Sequence, residues 1–496
     1  MAASEFLSAT LTARRFVICL GLFFAAAIGF KYAYSYDGTL LDPDSWWHIK
    51  TGADIMAAGK LPVTDSYSHS FFGKPWIAKE WLSQIIIALA YAASGWNGVA
   101  LLAALAATAT AYAFYCSLAA ALRPHLAVII AVCSVTLASN VFVARPHMLA
   151  MVVVVVWTTL LFRAADALKP PRLIWLALLV LWSNLHSSFT LGMVIAGFAA
   201  LHMAEQTRLR DRALLARWAI FLLLCPLAAL IHPYTYEPFR ISLEMMRGNE
   251  ATAFILEWQP FNAQTDKLYE YFLLICLFAL LKLRLELSWS KIAFILFTLH
   301  MFLTHGRFSY VFFLLAPIAI AADLARQYPR ISAETWKLQA RDRIENFVAK
   351  RFAPLVTASA AACALAAGLY LAMPGMLPPS FSYPKGAMAY VLSQKPKGNV
   401  FNHYNFGGVL VFHDIKTLID GRTDQIFLQG FATKTTESAK QGKEIQFAEL
   451  LKDYKIDWTM LPPNDARVEI LKKDPDWLLA YSDADAVIQI RRASLR

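Results

Sequence analysis

The chain has 496 residues, of which 58% are hydrophobic and only 16% are charged. This composition excludes a soluble globular protein, and the apolar runs are too numerous for a single membrane anchor. The formal net charge of +11 does not indicate nucleic-acid binding, because the basic residues are concentrated between the apolar runs, as in cytoplasmic loops of membrane proteins. We therefore predict a polytopic membrane protein that binds no nucleic acid.

Eleven segments are predicted to cross the membrane, since a helix needs roughly 20 apolar residues to span the hydrocarbon. They are residues 16–34, 98–121, 126–143, 148–162, 173–189, 191–204, 217–232, 269–284, 291–305, 308–323 and 352–373. The apolar run at 81–93 is too short to cross, and we predict a juxtamembrane or re-entrant helix there. Residues 16–30 resemble a signal peptide, but no convincing cleavage site follows, so we expect a retained first helix.

Three groups of basic residues mark the predicted cytoplasmic side. They are Arg163, Lys169 and Arg172; Arg208, Arg210, Arg212 and Arg217; and Arg326, Arg330, Lys337, Arg341, Arg343, Lys350 and Arg351. With these groups inside, the N-terminus is cytoplasmic, residues 35–97 form the first outer loop, and the C-terminus lies outside. All six cysteines fall within apolar runs, which indicates neither a disulfide framework nor a metal site.

The composition becomes more polar after residue 373, and four prolines between residues 374 and 384 indicate a linker. Short β-rich runs then alternate with helical patterns. The predicted fold is therefore an α-helical polytopic membrane domain, 1–373, followed by a small extracytoplasmic α/β domain, 374–496. The charged turn from Asp420 to Asp424 in that domain is expected to pair its own charges, with acceptor binding as the alternative.

Two carboxylates, Asp42 and Asp44, follow the first span and are separated by a single proline. Pro43 restricts Asp42 to an extended conformation and so fixes the relation between the two acids. We predict that one carboxylate takes a proton from an acceptor hydroxyl or amine, while the other positions the substrate or a divalent cation such as Mg²⁺ or Mn²⁺. A solvated turn is the alternative, since Asp and Pro are common in turns.

Further polar groups fall on the same outer side of the predicted topology. Ionisable groups at membrane depth are costly, so we interpret them as functional. The polar groups on this side are Glu80, Arg145, His147, Asn184, His186, His232, Glu257, His305 and Arg307. Arg145 and Arg307 are predicted to bind a phosphate, because a guanidinium group presents a fixed fork of donors. His147 and His305 lie close by in sequence and are assigned to the same phosphate site. Snorkelling to the interface is the alternative for both arginines.

The aromatic residues beside the acid pair have two open interpretations. Trp46 and Trp47 either stack on a sugar ring or prenyl chain, or belong to the aromatic belt at the membrane interface. His48 either orients a phosphate or an acid, or is a surface histidine. His186 and His232 are as consistent with satisfied core histidines as with a catalytic or metal-binding role, since their spacing matches no local metal motif. The predicted substrate-binding set comprises Trp46, Trp47, His48, Glu80, His186, His232 and Glu257.

Several motifs together resemble a broad group of bacterial polytopic proteins. They are the first outer loop from Asp42 to Leu82, Arg145-Pro146-His147, Trp182-Ser183-Asn184-Leu185-His186, His232-Pro233-Tyr234, Glu257-Trp258 and Asp420-Gly421-Arg422. That group is similar to the membrane glycosyltransferases of the GT-C type, and the resemblance spans most of the chain. It implies an acidic residue in the first outer loop, matched by Asp42 or Asp44, a polyprenyl-phosphate-linked sugar donor, and inverting transfer on the non-cytoplasmic side.

Two hypotheses follow. The first is a glycosyltransferase of the bacterial inner membrane that moves a sugar from a polyprenyl-phosphate donor to a lipid, glycan or protein acceptor. N-glycosylation of proteins is not expected, because the C-terminal domain lacks the acceptor-sequon signature of oligosaccharyltransferases. The second is a non-enzymatic lipid or polysaccharide transporter or an envelope assembly scaffold. A transporter is expected to hold its polar groups near the midplane in broken, repeated helices, whereas here they fall on one face, which favours the enzyme.

Overall fold

The computed structural model describes residues 17–18, 20–32, 36–247, 256–339, 375, 377–440 and 442–495. The helices of the N-terminal part are α1 (Leu20–Tyr32), α2 (Tyr36–Thr39), α3 (Asp44–Ala58), α4 (Trp81–Ala119), α5 (Pro124–Leu137), α6 (Pro146–Asp166), α7 (Leu176–Leu185), α8 (Phe189–Gln206), α9 (Arg212–Ala229), α10 (Glu237–Met246), α11 (Lys267–Leu283), α12 (Trp289–Thr304), α13 (Ser309–Gln327) and α14 (Ala333–Gln339). Each predicted span from 98–121 to 308–323 overlaps one of these helices. The last predicted span, 352–373, lies outside the described residues.

Four helical stretches among the described residues are long and apolar enough to cross a membrane. They are α4, α6, α9 and Gly306–Gln327, which contains α13. Four further apolar stretches have 10–17 residues, fewer than the roughly 20 of an untilted crossing. The protein is therefore a helical membrane protein, and the figure of eleven spans stays a prediction.

The short apolar run at 81–93 forms the first part of α4. Ser94 and Gly95 separate it from the second part, with φ 55° and ψ −142° at Gly95, a conformation that glycine adopts without steric cost. This first part packs against α3, where Gly52 approaches the backbone carbonyl of Gln84 so closely that a Cβ atom would overlap it. The contact fixes α3, the helix that begins at Asp44, against the bundle.

Small and aromatic side chains fill the interior of the bundle. Ala107, Ala111 and Ala199 are fully buried, and such small residues let membrane helices approach closely. Trp157 is also fully buried and donates its indole N–H to the Gly192 carbonyl at 2.8 Å. The helices are therefore held both by close packing and by satisfied polar groups.

A buried ion network joins the helix ends on the side of the basic loops. Lys291 Nζ lies 2.7 Å from Asp166 and 2.6 Å from Asp323, and the lysine side chain is fully buried. His202 Nε2 lies 2.8 Å from the same Asp166 carboxylate. The network ties α6, α8, α12 and α13 together at one end, while Arg145 marks the start of α6 at the other end.

The C-terminal part contains a four-stranded sheet. Its strands are β1 (Asn399–Asn402), β2 (Ile456–Leu461), β3 (Trp477–Ser482) and β4 (Val487–Arg491), in the order β1-β2-β4-β3, with β1 and β2 parallel and the other pairs antiparallel. The accompanying helices are α15 (Lys385–Gln394), α16 (Gly407–Phe412), α17 (Phe431–Glu437), α18 (Glu444–Asp453) and α19 (Ala466–Lys472). This matches the α/β pattern expected here, and the predicted boundary at residue 373 lies outside the described residues.

The C-terminal part packs directly on the first outer loop. The backbone N–H of His69 donates to the Thr417 carbonyl at 3.0 Å. The Trp46 ring lies 4.9 Å from Phe412 and 4.5 Å from Trp96, measured between ring centroids. Trp46 on α3 thus bridges α4 and the C-terminal part, and the acid pair lies at the junction.

Candidate functional site

The acid pair lies at the N-terminus of α3. Asp42 accepts a hydrogen bond from the backbone N–H of Asp44 at 2.8 Å, and Ser45 Oγ donates to the Ala144 carbonyl at 2.7 Å, which holds the first turn of α3 against the segment before α6. The side chains of Asp42 and Asp44 are only 9% and 10% exposed. They do not form the solvated turn considered from the sequence, and carboxylates buried in this way need a positive partner.

Arg145 supplies that partner. Its Nη1 lies 3.0 Å from Asp42 and 2.6 Å from Glu257, and its Nη2 lies 2.6 Å from Asp44. Arg145 precedes Pro146, the first residue of α6, and is extended with φ −127° and ψ 163°, as expected before a proline. This backbone directs the guanidinium group into the acid cluster, so it does not snorkel outward. Arg145 therefore forms ion pairs with all three carboxylates.

A second cation reaches the cluster through Glu257. Arg307 Nη1 lies 3.9 Å from Glu257 Oε2, and the Arg307 guanidinium group lies over the Trp258 ring, 4.5 Å from its centroid, a favourable cation–π geometry. His305 Nδ1 lies 2.8 Å from the Trp258 carbonyl oxygen. The two arginines predicted to bind phosphate therefore share one carboxylate, which is 42% exposed.

Burial and neighbouring charges shift the pKa values of Asp42, Asp44 and Glu257 in different directions. Burial raises the pKa of Asp44 to about 8, although Arg145 acts in the opposite direction, and burial also raises the pKa of Asp42. Burial acts upward on Glu257 too, but the guanidinium groups of Arg145 and Arg307 lower the pKa of Glu257 to about 2. Near neutral pH Glu257 is therefore ionised, while the Asp42 and Asp44 pair retains a proton.

A second polar group, formed by Glu80, His147 and His186, lies beside the acid cluster. His186 Nε2 lies 3.3 Å from Glu80 Oε1, and the rings of His147 and His186 are 5.9 Å apart. His186 Nδ1 accepts a hydrogen bond from the Ser188 backbone N–H at 3.1 Å. Because Nδ1 accepts this hydrogen bond, the proton of a neutral ring lies on Nε2, the nitrogen nearer to Glu80.

The other predicted histidines lie in the buried frame of the site. His147 Nε2 lies 2.5 Å from a backbone carbonyl oxygen of the preceding turn. His48 is buried, with Nδ1 3.2 Å from Gln84 Nε2, so it is not a surface histidine. His232 Nε2 lies 3.0 Å from the Lys79 carbonyl oxygen. His232 therefore fits the core-histidine interpretation, and its contact with Lys79 helps to fix the turn that contains Glu80.

Trp46 and Trp47 are both buried in aromatic packing. Trp46 lies among the rings described above, and the Trp47 ring lies 3.7 Å from His48 and 6.4 Å from Trp76. Both indoles are therefore enclosed by protein, an arrangement that neither sequence interpretation anticipated. Stacking on a substrate stays a prediction for both.

The charged turn of the C-terminal part also contributes to this site, which the sequence did not predict. Arg422 is completely buried, with Nη1 2.5 Å from Asp65 and Nη2 2.7 Å from Asp420. The expected pairing within the turn is present, but Asp65 of the first outer loop joins it. Gly421, between the paired residues, faces Asp44. The motif itself was visible in the sequence, whereas its position depends on a tertiary contact that no local pattern encodes.

Known proteins resemble this chain in structure only. No family model matches the chain, and no curated protein matches its sequence. The archaeal oligosaccharyltransferase AglB from Archaeoglobus fulgidus, in complex with an inhibitory peptide and a dolichol-phosphate, is 11% identical, with a TM-score of 0.51 over 92% of this chain and 69% of that one. ArnT from Cupriavidus metallidurans, bound to undecaprenyl phosphate, is 13% identical, with a TM-score of 0.50 over 95% of this chain and 98% of that one. The chain has the GT-C fold.

The GT-C fold confirms the resemblance predicted from the sequence motifs. It also accounts for how the predicted residues come together, because the first outer loop and the starts of α6 and α13 meet at one end of the bundle. At these sequence identities the likeness establishes the fold alone.

Divalent-cation binding at the acid cluster stays a prediction. Among the described residues, no group of three or more His, Cys, Asp or Glu side chains could hold a metal ion. The space between Asp42, Asp44 and Glu257 is taken by the Arg145 guanidinium group. In this structure Arg145 supplies the positive charge that the carboxylates need.

Proposed function

We propose that this protein is an inverting glycosyltransferase of the bacterial inner membrane, which moves a sugar from a polyprenyl-phosphate-linked donor to a lipid, glycan or protein acceptor on the extracytoplasmic face. The observation that carries the proposal is the cluster of Asp42, Asp44 and Arg145 within a GT-C fold. The polyprenyl phosphates bound to AglB and ArnT support a donor of the same class.

Asp44 is the proposed base, with Asp42 as its partner. The acceptor oxygen or nitrogen attacks the anomeric carbon, the bond from that carbon to the phosphate oxygen breaks, and the electron pair leaves with the phosphate. The acceptor proton passes to the ionised Asp44 carboxylate. A raised pKa makes that carboxylate a stronger base once it is ionised.

Arg145 and Arg307 are the proposed phosphate ligands, with His147 and His305 beside them. Both guanidinium groups contact Glu257, whose exposed carboxylate occupies the position of an anion between two cations. A donor phosphate would take that position and offer more acceptor oxygens to the two arginines. The protein would then act mainly by orienting the reactants and stabilising the departing charge.

The remaining predicted residues would shape the site around these groups. Glu80 and His186 lie next to the acids, with His186 Nε2 3.3 Å from Glu80 Oε1. Trp46, Trp47, His48 and His232 hold α3 and its loop in place. Their proposed effect on transfer is indirect.

Transfer by purified protein in lipid nanodiscs tests the proposal, with a panel of prenyl-phosphate sugars as donors. Loss of a general base should lower the rate by about 10²–10⁴-fold in Asp44→Asn. Asp54→Asn is the matched control, since Asp54 lies on the same helix, is 39% exposed and pairs with Lys50. Full activity in both Asp42→Asn and Asp44→Asn would remove the acids from the mechanism.

A further inference from the structure

The C-terminal part of the chain contacts the proposed base directly. A Cβ atom at Gly421 would overlap Oδ1 of Asp44, and it would lie 2.6 Å from Asp44 Cγ and 3.0 Å from Trp47 Nε1. The other carboxylate oxygen, Oδ2, is held by Arg145 at 2.6 Å. The Asp44 carboxylate is therefore enclosed between an arginine of the bundle and a glycine of the C-terminal part.

The turn that carries Gly421 is firmly anchored. Arg422 pairs with Asp420 through both Nε and Nη2, at 2.8 and 2.7 Å, and with Asp65 through Nη1 at 2.5 Å. All three side chains are completely buried, and charge-assisted contacts in such a place are strong and directional. The Arg422 guanidinium group also lies 4.9 Å from the centroid of the Trp76 ring.

Space, not backbone conformation, requires glycine at position 421. The backbone there does not lie in the left-handed region, so an alanine meets no conformational penalty. The three nearest obstacles are side-chain atoms of Asp44 and Trp47 on α3. Because the turn is fixed by buried ion pairs, the movable partner is the end of the Asp44 side chain.

We propose that the turn Asp420 to Arg422 forms one wall of the active site, and that Gly421 is a positioning residue for the Asp44 carboxylate. This inference rests on the proposed function. The C-terminal part thereby takes part in the reaction. Its turn keeps the Asp44 carboxylate in contact with Arg145 and leaves the side of the carboxylate that faces the acceptor unblocked. Arg422 and Asp65 act on Asp44 through the position of Gly421.

Gly421→Ala tests the inference, with Gly38→Ala as the matched control because a Cβ atom at Gly38 meets no atom within 4 Å. A displacement of about 1 Å at the reacting group costs roughly 100-fold in rate, so kcat should fall by about that factor in Gly421→Ala while KM for the donor changes little. The pH at which transfer is half-maximal should move upward, since the carboxylate loses contact with Arg145. A merely structural role would leave that pH unchanged.

A double-mutant cycle on thermal stability tests the contact without relying on activity. If the new methyl group collides with Asp44, then Asp44→Ala should restore the melting temperature lost in Gly421→Ala, because the two changes are coupled. Additive effects of the two substitutions would overturn the inference, even if Gly421→Ala folds poorly.

The inference and the proposed function fail in different ways. Full transfer by Gly421→Ala together with loss of transfer by Asp44→Asn would overturn the positioning role of Gly421 alone. Full transfer by both Asp42→Asn and Asp44→Asn would overturn the proposed base, and with it the reason for positioning Asp44.

Discussion

Single residues decide which acid of the cluster can accept a proton. Asp44 is buried and its pKa is raised to about 8, whereas Glu257 is held ionised by two guanidinium groups. A group that must be ionised to act as a base, and whose pKa is raised, becomes active as the pH rises through that pKa. Asp44, and not Glu257, is therefore the group whose ionisation should limit transfer.

The pH dependence of transfer follows from this assignment. We expect kcat/KM to rise by about tenfold per pH unit on the acid side and to level off above about pH 8, since only the ionised Asp44 accepts the acceptor proton. The measurement is the rate of the wild-type protein between about pH 6 and 9, with Asp44→Asn as the control that should lack this rise. A flat profile for the wild-type protein would contradict the role of Asp44.

Glu257 should compete with a phosphate for the two arginines. In Glu257→Gln the charge between Arg145 and Arg307 is lost, and binding of undecaprenyl phosphate should tighten by roughly tenfold, the size of one hydrogen bond to a charged group. Binding to protein in nanodiscs measures this. Glu244→Gln is the control, because Glu244 is 51% exposed and pairs with Arg240 on α10. Unchanged or weaker binding by Glu257→Gln would show that no phosphate replaces this carboxylate.

At the scale of elements, the helices are joined at two ends by two different charge clusters. The end opposite the site depends on Lys291, which is fully buried between Asp166 and Asp323. Removing one partner of a buried ion pair leaves an uncompensated charge, whereas an exposed pair contributes little. The buried network should therefore hold α6, α12 and α13 in the positions that the site requires.

Lys291→Met should destabilise the protein by about 3–5 kcal/mol. Thermal unfolding in detergent measures this, with Lys267→Met as the matched control because Lys267 is 52% exposed and pairs only with Glu270. Equal melting temperatures for the two variants would mean that the network does not stabilise the bundle.

The sequence predicted the elements of the site better than their contacts. Alternating spans place the starts of α6 and α13 on one side, so the convergence of Arg145 and Arg307 could be expected from the order of apolar and basic segments. The sequence could not predict which carboxylate each arginine contacts, because those contacts depend on how α3 packs against α4 through Gly52. Gly421 was likewise visible only as part of a charged turn.

At the scale of the whole molecule, the bundle has an acidic, arginine-containing end and a basic end. The predicted topology places the first on the extracytoplasmic side and the second in the cytoplasm. Three exposed positions report on it: Val63 in the first outer loop, Leu209 in a basic turn and Leu479 in the C-terminal sheet, which are 64%, 67% and 58% exposed.

Single cysteines at these positions test the topology. In a background without native cysteines, Val63→Cys and Leu479→Cys should react with a membrane-impermeant maleimide in intact spheroplasts. Leu209→Cys should react only after the membrane is permeabilised. Its labelling after permeabilisation also shows that the variant is expressed. Labelling of all three positions from the same side would refute the predicted arrangement.

We propose that acids of the first outer loop and arginines of later helices form one site for a polyprenyl-phosphate donor. The decisive test is a cryo-EM structure of the protein in nanodiscs with undecaprenyl phosphate. We expect the phosphate within hydrogen-bonding distance of Arg145 and Arg307, with Glu257 no longer between them. A phosphate bound elsewhere, with Glu257 still bridging the two arginines, would contradict the claim.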